Sequence, residues 1–150
     1  GISIFTTPSL AERFASLPPF QDVSALSSQE VNSDSGVWRT SAISGKGIGL
    51  VASQDLRFKD RVTAYTPALI AYLEMELGTM DREAWWRTAI EQLPDKTKQA
   101  FLSLAYVYGD ERVRVQDIVQ ANTFRIEMDG VNHLAMFPET SRLNHACNPK

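Results

Sequence analysis

The chain changes hydrophobic period twice, and that limits its architecture more than any other feature. From Trp38 to Tyr65 the apolar residues come in short runs broken by glycines and polar turns. From Ala68 to about Val119 they recur at helical spacing, and from Phe124 to Phe137 they alternate again. Alternation over a few residues marks a half-buried strand, whereas recurrence at three and four marks an amphipathic helix. Strands, a helical block and strands again is not the repeating order of a doubly wound sheet. The expectation is an α+β fold of short strands and hairpins carrying a helical insert.

Val37-Trp38-Arg39 and Leu50-Val51-Ala52 read as strands around a glycine-rich turn, Ser44 to Gly49, and Arg61 to Tyr65 reads as a further strand ended by Pro67. The helical insert, about residues 68–120, divides at its breakers. Ala68 to Leu77 stops at Gly78. A second helix, capped by Asp81, carries Trp85, Trp86, Ala89, Ile90 and Leu93 as far as Pro94-Asp95. A third runs from about Lys96 to Tyr108 with Gly109 as its stop, and Val115, Ile118 and Val119 mark a short fourth. Trp85 and Trp86 point ~100° apart on a helix, so either both pack inside or one is left for a protein partner. Asp129-Gly130 is a strong two-residue hairpin signal.

Residues 1–36 read as an N-terminal extension, and residues 37–150 as one domain. The extension is rich in serine, and Arg13 is its only cation. Ser9 with Glu12 matches a capping box before a helix from about Leu10 to Leu17, followed by a flexible stretch to about Ser35.

The net charge of -3 argues against a general nucleic-acid binder, which needs a basic excess. One cysteine, Cys147, rules out an intramolecular disulfide framework. No apolar run approaches the ~18 residues of a membrane span, and no basic-then-apolar leader opens the chain. The expectation is an intracellular protein, nuclear or cytoplasmic, with neither membrane nor direct nucleic-acid partners.

Two constellations could carry chemistry. Gly45-Lys46-Gly47-Ile48-Gly49 lets the backbone approach a ligand and exposes amides to a carboxylate or phosphate. It lacks the spacing of a phosphate-binding loop, and a strand rather than a helix follows, so it is not a dinucleotide fingerprint. Taken alone, a plain tight turn between two strands is the simpler explanation. Ser141-Arg142-Leu143-Asn144-His145-Ala146-Cys147-Asn148-Pro149 gathers Asn, His and Cys in one polar loop. It could hold a metal, but His133 is the only other histidine and no second cysteine exists. It could hold a Cys–His pair, although such partners normally meet through the fold. It could be a loop that hydrogen-bonds a ligand through Asn and His, or a packed structural loop.

Taken together the two motifs resemble the SET domain of protein-lysine methyltransferases. Asn144-His145-Ala146-Cys147-Asn148-Pro149 is similar to the signature Asn-His-Ser-Cys-x-Pro-Asn, and Ser141-Arg142-Leu143 to the Ser-Arg-Ile that leads into it. Gly45-Lys46-Gly47-Ile48-Gly49-Leu50 resembles the opening Gly-Lys-Gly-x-Gly-Leu. Asn122-Thr123-Phe124 and Phe137-Pro138 resemble intervening fragments. The long insert is closer to the larger, mainly fungal members.

The resemblance implies a SET-type β fold without its C-terminal, knot-forming segment, and S-adenosyl-L-methionine as methyl donor. Lys46, Gly47, Ile48 and Gly49 would line the donor's methionine end, with Asn144 and His145 at its adenine and amino-acid portions and Ser141 and Arg142 beside them. The acceptor would be a lysine of a protein substrate, histone or non-histone. No metal is implied. Cys147 would join a zinc site only if a cysteine-rich tail followed, and otherwise is a small buried residue. The tyrosine that orients the acceptor amine is expected downstream of Lys150, so no catalytic residue is assigned here. Tyr65 and Asp60 stand where many relatives have Glu and Gly. The alternative is a SET-fold protein without methyl transfer, acting as a binding module or a repurposed catalyst.

Overall fold

Among the described residues six strands and five α-helices form, with five differences from these local preferences. The computed structural model describes residues 2–22, 24, 31–32, 35–72 and 76–143. The signature from Asn144 to Pro149, with Asn144, His145 and Cys147, lies outside the described residues, as does most of the serine-rich stretch.

The fold is α+β. Strands β1 (Ser3–Phe5), β4 (Leu69–Tyr72), β5 (Thr123–Met128) and β6 (Val131–Met136) form one sheet in the order β1-β4-β6-β5. β1 runs parallel to β4, and the other neighbours are antiparallel. β2 (Trp38–Ile43) and β3 (Gly47–Ala52) form a separate antiparallel hairpin. Helices α1 (Pro8–Ser16) and α2 (Pro18–Gln21) follow β1. Helices α3 (Thr79–Glu91), α4 (Asp95–Leu102) and α5 (Arg114–Asn122) lie between β4 and β5 in sequence.

The core lies between that sheet and α3–α5. Leu69 and Ala71, two residues apart on β4, share a face with Met136 and meet Trp86, Ile90, Phe101 and Ile118. Leu69, Phe101 and Ile118 are essentially fully buried, each worth about 1.5–3 kcal/mol over an exposed side chain. Both adjacent tryptophans pack inward. Trp86 is in the core, and half-buried Trp85 meets Phe5 edge to face, with centroids 6.2 Å apart.

α5 begins on a charge from α3. The buried Glu83 carboxylate accepts the Val115 and Gln116 amides at 3.2 and 2.8 Å, and Arg87 pairs with it at 2.6 Å. These amides are among the donors a helix start leaves without intrahelical partners.

The expected helix from Ala68 to Leu77 is instead strand β4 over Leu69–Tyr72. Leu69, Ile70 and Ala71 are all buried. A strand covered on both faces shows no alternation and is easily mistaken for a helix. Arg61 to Tyr65 alternates but is irregular rather than a strand, with Ala64 O accepting the Asn32 amide at 2.7 Å. The third helix stops at Leu102, not Tyr108. Helix α1 starts on Thr7 with Pro8 in its first turn and no side-chain cap bond, so Ser9 lies inside it rather than capping it. Gly78, not Asp81, is the N-cap of α3, and Asp81 sits in its first turn.

The Asp129-Gly130 turn forms as expected. Both residues have positive φ, 54° and 75°, as a type I′ turn requires. Strand β1 is tied to β6 by a buried side-chain pair, Thr6 Oγ1 to His133 Nε2 at 2.6 Å.

Candidate ligand-binding site

The β2–β3 turn is built around two left-handed glycines. The Lys46 amide donates to Ile43 O at 3.0 Å, closing a turn with Gly45 at φ 71° in its third position, and Gly47 also has φ 71°. A Cβ on either glycine would meet nothing within 4 Å. Conformation, not crowding, is what asks for glycine here, and the backbone of Gly47 stays bare toward open space.

That bare stretch forms one side of a cavity of about 210 Å³. Lys46, Gly47 and Ile48 face Ser141 and Arg142, and Ser103, Leu104, Ala105 and Asn122 complete the lining. The glycine-rich turn and the Ser141-Arg142 stretch that leads into the signature therefore meet in space across the helical block. Ile48, at the mouth, is 59% exposed. Gly49, the next residue of β3, is buried and is not among the lining residues.

Asn122 links the walls. Its Nδ2 donates to Ala105 O at 2.6 Å and to Ile118 O at 2.8 Å, and its backbone carbonyl accepts Ser141 Oγ at 2.8 Å. Ser141 sits in a short 3-10 turn, Thr140–Arg142, whose start is fixed by its amide donating to Phe137 O at 2.8 Å. Arg142 Nη2 reaches across to Ser103 Oγ at 2.9 Å. Phe124 and Phe137, one residue from β5's start and one past β6's end, meet edge to face with centroids 5.8 Å apart.

Chemically the cavity combines two cationic side chains, Lys46 and Arg142, with hydroxyls, an amide and the apolar atoms of Ile48, Leu104 and Ala105. Such a lining takes a ligand with an anionic end and an apolar or aromatic body. The Ser103–Ala105 wall is absent from the sequence-based set, because that reading continued a helix through it. Asn122 was visible only as part of a motif fragment. Among the described residues no three His, Cys, Asp or Glu side chains gather into a metal-binding group, and no helix is long and apolar enough to cross a membrane.

Comparisons with family models, with curated proteins and with solved structures give no match.

Proposed function

We propose that this chain forms the S-adenosylmethionine-binding part of a SET-type protein-lysine methyltransferase. One observation carries the reading: Lys46–Ile48, from the first motif, and Ser141–Arg142, from the stretch that leads into the second, line a single cavity although the helical insert separates them in sequence. The pairing of Phe124 with Phe137 adds support, since both lie in the intervening motif fragments.

The lining suits the donor chemically. Lys46 and Arg142 supply the positive field that a carboxylate needs, and Arg142 is oriented by its bond to Ser103. The bare backbone at Gly47 offers close approach. Ile48, Leu104 and Ala105 give apolar contact for the uncharged portion. When bound, S-adenosylmethionine supplies an activated methyl group on a sulfonium. The chain's residues would hold and align it and exclude water from one side.

Titration calorimetry with S-adenosylmethionine tests the reading. Saturable binding is expected, weakened about tenfold or more by Arg142→Ala. No heat of binding from folded protein would end it.

The second reading, a SET-fold protein without methyl transfer, is favoured by Tyr65 and Asp60 standing where many relatives carry Glu and Gly. Tyr65 lines a different cavity, of about 390 Å³, with Lys96 and Glu139. Binding of donor without methyl incorporation into lysine-containing proteins would select this alternative.

A further inference from the structure

We propose that α5 sets the width of the ligand cavity by bracing the segment from Ser103 to Gly109, with Asp117 as its positioning residue. The inference rests on the cavity being the donor site.

The segment leaves helix α4 at Ser103, forms the cavity wall through Ala105 and continues to Gly109. Beyond Leu104 its side chains are largely exposed, with the Tyr106 ring under the Arg114 guanidinium at 5.2 Å as the contact to α5. Tyr106, Val107 and Tyr108 are 41%, 71% and 77% exposed. Its backbone is held instead. The buried Asp117 carboxylate accepts the amides of Val107, Tyr108 and Gly109 at 3.0, 2.7 and 3.3 Å. About one and a half turns further along α5, Asn122 holds Ala105 O. The two anchors lie on one rigid helix, so the position of the wall is set by α5 rather than by the exposed side chains. Asp117 does not line the cavity and acts only through the segment it holds. Gly109 ends the braced stretch in the left-handed conformation, φ 73°.

Nuclear magnetic resonance on isotope-labelled full chain, with donor calorimetry, tests this. Asp117→Asn keeps the shape but replaces one of the two accepting oxygens with a donor, so at least one of the three amides loses its acceptor. It should speed amide exchange at Val107–Gly109 about tenfold or more. It should also move the amide resonances of Leu104, Ala105 and, across the cavity, Gly47. The dissociation constant for S-adenosylmethionine should rise about fivefold or more, since an unbraced wall must be ordered on binding. Asp110→Asn, at a half-buried carboxylate whose bonds among the described residues all go to Arg112, should do none of this. Gly109→Ala strains the same anchor from the surface and gives the same pattern more weakly, which keeps the test open if Asp117→Asn does not fold. Faster exchange with unmoved cavity resonances overturns the proposal, as does binding by the variants within about twofold of wild type. Moved cavity resonances in a protein that binds no S-adenosylmethionine would uphold the brace and end the donor reading alone.

Discussion

Asn122 ties its own helix, through Ile118 O, to two other segments, through Ala105 O and Ser141 Oγ. Asn122→Ala removes both side-chain donors and leaves the Ala105 carbonyl without its partner. The expected loss is about 2–3 kcal/mol, read as a lower denaturant midpoint at unchanged slope. Asp117 adds a pH dependence. Burial pushes its carboxyl up, but the three backbone amides outweigh this and hold it below its ordinary value of 3.8. The unfolded chain therefore takes up this proton at a higher pH than the folded one. The stabilisation is full above the ordinary carboxylate range and is lost as pH falls through the lower, folded value. Unfolding measured across the acid range should show a shallower loss of stability in Asp117→Asn than in wild type. Equal slopes would mean the amides do not favour the charged form.

The elements that were readable in sequence are those fixed by local chemistry. Asp129-Gly130 names its own turn because few residues accept two consecutive positive φ angles. Gly130→Ala should cost about 1–2 kcal/mol, seen in thermal unfolding, although no atom lies within 4 Å to clash with the new Cβ. The glycine-rich turn was legible for the same reason, whereas Ser141 and Arg142 stood out only through the motif resemblance and Ser103 not at all. What was not legible depends on partners distant in sequence. β4 loses its alternation by being buried on both faces. Arg61 to Tyr65 alternates but bonds the irregular backbone at Asn32 instead of forming a strand. The stretch after Leu102 leaves the helix where Asp117 and Asn122 take over its backbone, and nothing near Ser103 announces that. The place of β1 in the sheet is also tertiary. His133 Nδ1 faces Val131 O, which can only accept, so Nε2 accepts the Thr6 hydroxyl. Thr6→Val orphans this buried acceptor and should cost about 1–3 kcal/mol. Limited proteolysis should then cut the first residues faster, and an unchanged rate would show that β1 holds without the pair.

The molecule has two unequal parts, and the candidate cavity lies where they meet. The four-stranded sheet and α3–α5 share one buried core. The β2–β3 hairpin has Gly49 as its only buried residue among those described, and its main packing is of β3 against the Thr140–Arg142 turn. An isolated two-stranded hairpin is marginal in water. The hairpin should therefore open locally at a lower free energy than the sheet. Native-state amide exchange should show Ile70, Ala71, Leu134 and Ala135 exchanging only through global unfolding, with the amides of Thr40 to Leu50 exchanging about ten- to a hundredfold faster. A ligand bound between Gly47 and Arg142 contacts both parts, so it stabilises the closed hairpin in proportion to its concentration over its dissociation constant. Donor binding should slow exchange in the hairpin selectively while leaving the sheet's ratio to global stability intact. If protection rises uniformly over the chain, the hairpin does not open independently. The cavity would then be a fixed slot in one cooperative unit rather than a joint that the ligand closes.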